Sequence, residues 1–462
     1  MKSKLGKGMM IVLIANIIHL LFNLVSNLIL PKHLPVNSYA TLKTYQLYMS
    51  YVGIIHLGYN DGIYLRYGGK SIHNTSKSEL SESISIIRIY LIVVMIVGIA
   101  IGYYSGNYIL LIVSVAMVPA NMLSYFQFMY QACAEFSSYS KILNYITVGT
   151  FAVNMILVFI INTTNQFVYL WMYVVLNVLT WMFAEHNFIR LTGAGFKVFY
   201  FSLDRFGRNI KTGIFLTLGN FSSILMTSMD RWFVSYYIGT LAFAQYSFAV
   251  TMEGFLNTAV SPVTITLYNH FCINDNEASN ARMRKRVTVF ASFIIAAAYP
   301  VKFILETYLP TYYDSSKVLF LLFGSQLLYI VIKGIYVNIY KARQEQKKYF
   351  RDLLIVIVFG FVSNHAVYRI YPCKEAFAIA TLLSAVFWYV TCQIHFRDTT
   401  MNEIVFLVIQ LSSFLMTGIY CKSYIGLIIY MCILLVNTIL LMNDVFVWII
   451  TTIQGFTTLI RH

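Results

Sequence analysis

The stretch NIIHLLFNLVSN (16–27) places a stripe of polar side chains in an otherwise apolar run. At about 100° per residue, the stripe covers roughly 100° of one helix face. Its members are Asn16, His19, Asn23, Ser26 and Asn27. The stretch NFSSILMTSMDR (220–231) repeats the stripe 204 positions later, with members Asn220, Ser223, Thr227, Asp230 and Arg231. Because spacing and polarity both recur, the sequence predicts that two parts of the chain share one arrangement of helices.

The composition is typical of a membrane protein. Hydrophobic residues make up 59% of the 462 residues and charged residues 11%, whereas soluble domains carry about 25% charged residues. A soluble globule, a coiled coil and a disordered chain are therefore excluded. The six cysteines form no CxxC pair, and the sequence contains no phosphate-binding loop or catalytic signature. We therefore expect no enzyme, no metal site and no cofactor.

Apolar runs long enough to cross a bilayer recur along the whole chain. Charged and turn residues separate fourteen of them, and only residues 421–423 separate the last two, so twelve spans is the alternative. The predicted spans are 8–30, 40–60, 84–104, 108–131, 141–162, 166–190, 211–237, 241–270, 287–308, 316–340, 350–371, 375–396, 403–421 and 424–450.

The basic residues indicate how the chain is oriented. With the N-terminus inside the cell, the inner segments hold 23 Lys and Arg residues and the outer segments hold 4. Such a bias follows the positive-inside rule, so both termini are predicted to be cytoplasmic. The net charge of +15 therefore reflects membrane topology, and we expect no nucleic-acid partner.

The two stripes lie in the first and the seventh predicted span, so both helices run in the same direction. This pattern favours two six-helix lobes related by a parallel repeat, which is a transporter architecture. Amide and imidazole groups are costly against lipid, so the stripes face either neighbouring helices or a water-filled cavity. The predicted parts are a first lobe at 1–190, a linker at 191–210, a second lobe at 211–398 and two additional helices at 399–462.

Several charged residues are predicted to lie at membrane depth. Asp230 and Arg231 either form an ion pair that holds helices together, or face a cavity in which Arg231 meets an anionic substrate. Glu253, near the middle of the eighth span, is a candidate for coupling to a proton or sodium ion; a structural hydrogen bond is the alternative. Lys43, at the start of the second span, is a candidate phosphate contact.

Two other charged sites have simpler expected roles. Lys302 and Glu306 form an i, i+4 pair and predict a local salt bridge. Lys333 lies two turns before Lys341, so we expect its side chain to snorkel to the inner interface. A basic site for a phosphate that enters from the cytoplasm is the alternative for Lys333.

The segment LGYNDGIYLRYGG (57–69) ends the second predicted span. Its residues 60–62, Asn-Asp-Gly, predict a turn. Arg66 then follows in a cytoplasmic loop, where it either anchors a lipid phosphate or acts as an ordinary interfacial anchor.

Several of these features together resemble a known family. The basic N-terminus, the Asn stripe, LPVNSYA (34–40) and LGYNDGIYLRYGG (57–69) are similar to Wzx-type polysaccharide flippases. These flippases belong to the multidrug/oligosaccharidyl-lipid/polysaccharide (MOP) exporter superfamily. The resemblance implies an all-α, MATE/MOP-like fold of two six-helix bundles plus two C-terminal helices, with a central cavity lined chiefly by helices 1, 2, 7 and 8.

The resemblance also implies a function. Such proteins flip undecaprenyl-pyrophosphate-linked oligosaccharides to the outer leaflet of the bacterial cell membrane, driven by an H⁺ or Na⁺ gradient; membrane lipids and polysaccharide assembly proteins are the other implied partners. A multidrug exporter of the same superfamily is one alternative, and a membrane glycan polymerase or ligase is another. The candidate substrate-binding residues are Asn16, His19, Asn23, Asn27, Lys43, Arg66, Asn220, Thr227 and Arg231, and the candidate ion-coupling residues are Asp230 and Glu253.

Overall fold

The computed structural model describes residues 2–194, 200–273, 276–343, 345–396 and 399–460, and all regular elements in these ranges are helices. The predicted all-α fold is therefore confirmed. Residues 195–199 of the predicted linker, and residues 397–398 at the end of the predicted second lobe, lie outside the described residues. The chain forms two compact units, Met1–Ser228 and Met229–His462.

The N-terminal unit contains seven helices and most of an eighth. A short 3₁₀ turn continues α2, and a π turn continues α6. The helices are α1 (Lys2–His33), α2 (Val36–Tyr51), α3 (Tyr59–Tyr67), α4 (Lys77–Tyr104), α5 (Tyr108–Ala132), α6 (Phe136–Met155), α7 (Gln166–Thr192) and α8 (Leu203–Tyr237). The boundary between the two compact units falls inside α8.

The C-terminal unit begins with the last turns of α8. A π turn, Ile332–Tyr336, joins two of its helices without a break. The helices are α9 (Thr240–Ile273), α10 (Glu277–Ile295), α11 (Ala298–Thr307), α12 (Ser316–Val331), α13 (Val337–Ala342), α14 (Gln346–Ile370), α15 (Lys374–Phe396), α16 (Met401–Tyr420), α17 (Ser423–Leu441) and α18 (Asn443–Ile460).

Asparagine side chains cap the start of several helices. The Asn107 side chain accepts a hydrogen bond from the backbone N–H of Leu110 at α5, and Asn276 does the same for Ser279 at α10. Asn165 caps α7 in the same way. An N-cap amide satisfies one of the backbone donors that the first helical turn leaves without a partner. Local sequence therefore determines where these helices begin.

The chain is a multi-pass membrane protein. Within the described residues, ten helical segments are long and apolar enough to cross a membrane. The helix that carries the second polar stripe, α8, is not among them. Its polar residues lower its hydropathy, which fits a helix that does not face lipid on all sides.

The turn predicted at residues 60–62 is wrong. The break in the second span lies earlier, where Leu57 (φ 52°) and Gly58 (φ 92°) adopt left-handed backbone conformations. Asn60 and Asp61 instead lie in the first turn of α3 and are buried. Asn60 donates a hydrogen bond to the carbonyl of Asn121 (3.0 Å), so a tertiary partner replaces the local turn that its residue type favours.

The last predicted span (424–450) is also wrong as a single helix. The chain breaks at Met442, and α18 follows as a separate helix. Two contacts connect α18 with α10: the ammonium of Lys285 binds Asp444 (3.1 Å), and Arg286 lies over the ring of Trp448 (4.2 Å). Asp444 is in the first turn of α18, where the helix dipole favours a negative charge.

Lys302 and Glu306 fasten the turn between α16 and α17. The Lys302 ammonium donates to the carbonyls of Gly418 (2.8 Å) and Cys421 (2.6 Å), and Glu306 accepts a hydrogen bond from the Ser423 hydroxyl (2.6 Å). The local salt bridge predicted for this pair is therefore wrong in the part of the chain that the structure describes. Both charges instead satisfy polar groups at helix ends, which need partners when they are buried.

A buried ion pair connects α10 with α16. The Nε atom of Arg284 lies 2.8 Å from Oε2 of Glu403, and a second hydrogen bond joins the same side chains at 3.3 Å. The exposed fractions of these side chains are only 1% and 3%. Each charge stabilises the other, because a buried charge without a partner greatly lowers the stability of the folded protein.

Candidate functional site: a polar cavity and a charge cluster

A polar cavity of about 210 Å³ lies within the N-terminal unit. Helices α1, α2, α6 and α7 each contribute to its walls. None of the described residues that line it is charged, and most of them are polar. The amide and hydroxyl side chains in its lining include Asn23, Asn27, Gln46, Thr150, Asn154 and Asn177. The side chains that line the cavity can therefore both donate and accept hydrogen bonds.

A chain of hydrogen bonds connects the first polar stripe with the cavity. His19 bonds to the hydroxyl of Thr147 (2.8 Å), and the amide nitrogen of Asn23 lies 3.1 Å from the His19 ring. The amide of Asn27 donates to the carbonyl of Asn23 (2.8 Å). The structure thus brings three of the predicted stripe residues into one network.

Lys43 holds two of the cavity amides in a fixed orientation. Its ammonium is buried and donates to the side-chain oxygens of Asn27 (2.8 Å) and Gln46 (3.1 Å). Because an ammonium can only donate, both amides turn their oxygens toward it. The amide nitrogen of Gln46 then remains available as a donor at the cavity. Lys43 itself is not among the described residues that line the cavity.

Tyr45 presents a hydroxyl that lacks a partner. The residue lines the cavity, is 4% exposed, and its oxygen has no hydrogen-bond partner among the described residues. A buried hydroxyl without a hydrogen bond costs about 1–3 kcal/mol. A ligand with a hydroxyl group would offset this cost.

The Asp230 carboxylate lies in the C-terminal unit and accepts two hydrogen bonds. The phenol of Tyr246 donates one (2.6 Å) and the backbone N–H of Arg231 donates the other (2.7 Å). Asp230 is only 6% exposed. Hydrogen bonds from neutral groups therefore hold this carboxylate in place.

The guanidinium of Arg231 does not bind Asp230. Among the described residues, Arg231 binds Asp230 through its backbone N–H and acts on the carboxylate electrostatically, without a side-chain ion pair, and its Nε is buried without a hydrogen-bond partner. Of the two interpretations left open by the sequence, this geometry favours a cation available to an anion. A mutual ion pair is not observed.

Glu253 lies near the same charges. It accepts a hydrogen bond from the side-chain amide of Gln326, which is 1% exposed. The charges of Asp230, Lys333 and Arg231 all act on it electrostatically. Two acidic and two basic side chains therefore make up one charge cluster in the C-terminal unit.

Lys333 does not snorkel as predicted. Its ammonium lies over the ring of Tyr329, 5.5 Å from the centroid, and interacts with Glu253. Tyr329 is one turn earlier, so the side chain points away from Lys341. Helical side chains tilt toward the N-terminus of their helix, which directs this ammonium back into the span. Lys333 also lies in the π turn, a feature that often marks functional sites.

Other predicted site residues lie outside these two groups. Asn16 of the first stripe is exposed, as are Asn220 and Thr227 of the second. The hydroxyl of Thr227 bonds only to backbone carbonyls of its own helix among the described residues. Arg66 lies at the end of α3, where it binds Glu79 (2.5 Å) and Asn209 (3.4 Å).

Sequence analysis missed several members of both groups. The cavity residues Tyr45, Asn154 and Asn177, and the cluster residues Tyr246 and Gln326, are single polar residues within apolar runs. Four of them face an apolar residue at the 204-residue offset; only Asn177 has a polar counterpart there, Thr381. A polar residue at mid-span is itself a signal for a functional or packing role, but only the structure shows which of them converge.

The architecture matches solved structures of membrane exporters. No protein-family model and no curated protein sequence matches the chain. The structure of lipid II flippase MurJ in an inward closed conformation is similar with a TM-score of 0.65 at 11% identity, covering 94% of this chain and 99% of MurJ. The chain therefore shares its fold with this flippase.

Two MATE transporters are similar as well. A variant of the Vibrio cholerae MATE transporter VcmN superposes with a TM-score of 0.54 at 13% identity, covering 86% of this chain and 96% of VcmN. An inward-facing multidrug resistance MATE transporter of the MOP superfamily superposes with a TM-score of 0.50 at 11% identity. The match covers 81% of this chain and 94% of that transporter. These similarities confirm the MATE/MOP-like fold predicted from the sequence.

Proposed function

We propose that the protein is a Wzx-type flippase that moves lipid-linked oligosaccharides from the cytoplasmic to the outer leaflet of a bacterial cell membrane. The observation that carries this proposal is the uncharged, amide-rich cavity of the N-terminal unit. Sugar hydroxyls donate and accept hydrogen bonds, and so do amides. Tyr45 adds an unpartnered hydroxyl to the same cavity. A cationic drug would instead favour a carboxylate in the lining.

In this proposal, Arg231 binds the pyrophosphate that joins the glycan to its lipid. A guanidinium matches two phosphate oxygens with parallel hydrogen bonds. The carboxylates of Asp230 and Glu253 act on the Arg231 charge without forming an ion pair with it among the described residues, and its buried Nε lacks a hydrogen-bond partner. The undecaprenyl chain would remain in the lipid.

Glu253 and Asp230 would couple transport to an H⁺ or Na⁺ gradient. Neutral groups, the Gln326 amide and the Tyr246 phenol, hold the two carboxylates. A carboxylate held by neutral donors can exchange a cation without breaking a salt bridge. Lys333 and Arg231 lie close enough to act on Glu253, so the occupancy of Glu253 would respond to the arrival of an anion at Arg231.

The solved structures support this proposal and one competitor. The structure with the TM-score of 0.65 is named a lipid II flippase, which favours a lipid-borne substrate. The structure with the TM-score of 0.50 is named a multidrug resistance transporter. A multidrug exporter is therefore the second candidate, and the carboxylates of Asp230, which is buried, and Glu253, which is half-buried, are the observation that favours it.

Reconstitution separates the two candidates. Purified protein in proteoliposomes with a pH gradient should expose a fluorescent undecaprenyl-pyrophosphate-linked oligosaccharide to an external quencher. Asn177 lines the cavity and makes no side-chain hydrogen bond among the described residues. Its replacement in Asn177→Leu should slow flipping about tenfold, because a buried sugar hydroxyl then loses its partner.

The matched control is Asn37→Leu, since Asn37 is exposed and lies outside the cavity lining. This variant should flip the glycolipid at the rate of the unchanged protein. Uptake of ethidium without any flipping of the glycolipid would refute the proposal and favour the drug exporter. Equal losses in both Asn variants would also count against the cavity as the glycan site.

A further inference from the structure

A second cavity, of about 370 Å³, lies elsewhere in the N-terminal unit, between α3, α4 and the start of α8. Three arginines line it: Arg66 from α3, and Arg205 and Arg208 from α8. Two carboxylates, Glu79 and Glu82 of α4, line it as well. The positive-inside pattern predicts that this end of the helices is cytoplasmic.

The carboxylates in this cavity bind two of the arginines. Arg66 forms an ion pair with Glu79 (2.5 Å), and Arg205 forms one with Glu82. Both arginine side chains stay partly open to solvent, with exposed fractions of 37% and 41%. Each guanidinium therefore already holds an oxyanion at a position that solvent can reach.

The wall of the cavity is held by close packing between α3 and α8. An added Cβ at Gly62 would meet the carbonyl of Asn209, so the two backbones are in contact. The hydroxyl of Thr217 also donates to the buried carboxylate of Asp61. Such tight packing fixes the spacing of Arg66 and Arg205, which therefore face the cavity as a preformed pair.

We propose that this cavity is a phosphate-binding site that accepts a diphosphate, with Glu79 and Glu82 as built-in competitors. Carboxylate and phosphate oxygens present the same bidentate geometry to a guanidinium. A diphosphate carries two such groups, one for Arg66 and one for Arg205, while Arg208 lines the same cavity and is paired with Asp204 of its own helix. The incoming anion would displace the two carboxylates, and the ion pairs would re-form when it leaves.

The identification of the natural ligand as the head group of a lipid-linked glycan rests on the proposed function. In that case the cavity would receive the diphosphate of the substrate. An anionic phospholipid or a free cytoplasmic phosphate compound carries the same chemistry. The site itself depends only on the arginines, the carboxylates and the cavity.

Two variants test the site, one that removes a positive charge and one that removes a negative charge. Calorimetric titration of inorganic pyrophosphate into the purified protein, at constant ionic strength, gives the binding constant. Arg205→Gln should weaken binding about tenfold, because a charge-assisted hydrogen bond is lost at a partly exposed position. Glu82→Gln should strengthen binding several-fold, because the competitor is removed. If these ion pairs only stabilise the fold, the two variants would not shift pyrophosphate affinity in opposite directions. That result would refute the proposal.

The matched control is Arg351→Gln. Arg351 is also paired with a neighbouring carboxylate, that of Asp352, but it lies in the other unit and outside this cavity. The control should leave pyrophosphate binding unchanged; an equal loss there would mean that net charge alone drives binding, and would overturn the site. The pair Glu79→Gln and Arg66→Gln repeats the test should Arg205→Gln fail to fold.

Nanodiscs identify the source of the anion. Pyrophosphate affinity is measured with undecaprenyl diphosphate in the bilayer, with phosphatidylglycerol, and with a neutral lipid only. Competition by undecaprenyl diphosphate that Arg205→Gln abolishes would support the substrate head group, and competition by phosphatidylglycerol would support a membrane lipid. If neither lipid competes with pyrophosphate, and pyrophosphate binds equally well in neutral lipid, the natural ligand would be a free phosphate compound. A protein that passes this binding test without flipping glycolipid would refute the proposed function and leave the site intact.

Discussion

Removal of Arg231 should stop transport without unfolding the protein. Asp230 keeps both of its hydrogen bonds in Arg231→Ala, because one comes from Tyr246 and the other from the backbone N–H at position 231. The Asp230 carboxylate therefore loses no hydrogen bond, and Lys333 still acts on Glu253. Two charge-assisted hydrogen bonds to a phosphate contribute about 1.5 kcal/mol each at a half-buried position. Their combined loss of about 3 kcal/mol corresponds to roughly 150-fold slower transport.

The conservative change should have a smaller effect. Arg231→Lys keeps one compact charge and loses the parallel pair of bonds, so transport should fall roughly tenfold. Flipping in proteoliposomes gives the rates, and thermal unfolding in detergent checks the fold. The control Arg369→Ala removes an exposed arginine from α14 of the same unit and should change neither quantity.

A double variant distinguishes a phosphate contact from a structural charge. If Arg231 only balances the charge of Asp230, Asp230→Asn combined with Arg231→Gln should restore the transport that each single change removes. A phosphate contact predicts no such rescue. Restored transport in the double variant would refute the argument from geometry.

The other predictions concern coupling, stability and topology. Glu253→Gln should abolish the dependence of transport on the pH gradient while the protein stays folded, and an unchanged gradient dependence would make Glu253 structural. Glu403→Gln should lower the free energy of unfolding by about 3–5 kcal/mol, because it removes the negative charge that binds the buried Arg284 guanidinium; thermal unfolding in detergent measures this. In a cysteine-free background, an impermeant thiol reagent should label Tyr313→Cys but not Arg282→Cys in intact cells. Both positions are exposed, so labelling of Arg282→Cys alone would invert the predicted topology.

Much of the fold follows from local sequence. Apolar runs predict the spans because a helix in lipid must form all of its backbone hydrogen bonds within itself. The length of each run can be counted directly along the sequence. The breaks are less predictable. Residues 60–62 have strong turn propensity, yet tertiary contacts hold Asn60 and Asp61 in a helix, and the break occurs at Gly58. Burial of Asn60 and Asp61 determines where the helix breaks, and a short stretch of sequence does not show which residues are buried.

The site could be predicted only where it was repeated or charged. The stripe that contains Asn23 and Asn27 was recognisable because it recurs, and Asp230 and Glu253 because charge is rare at membrane depth. Pairings between distant residues carry no such signal. Arg205 and Glu82 are separated by more than a hundred positions, and only the packing of α8 brings them together.

The buried charges of the C-terminal unit are of two kinds, which differ in whether their polar atoms all have hydrogen-bond partners. Arg284 and Glu403 satisfy each other through two hydrogen bonds, and Lys302 satisfies carbonyls at a helix end. Any change in their ionisation would leave buried groups without partners, so they suit a fixed structural role. Arg231 instead keeps a buried polar atom without a hydrogen bond among the described residues, and so does Gln326, the neutral partner of Glu253. Such incomplete hydrogen bonding costs stability in the resting protein, and a ligand or an ion that completes it would gain that free energy on binding.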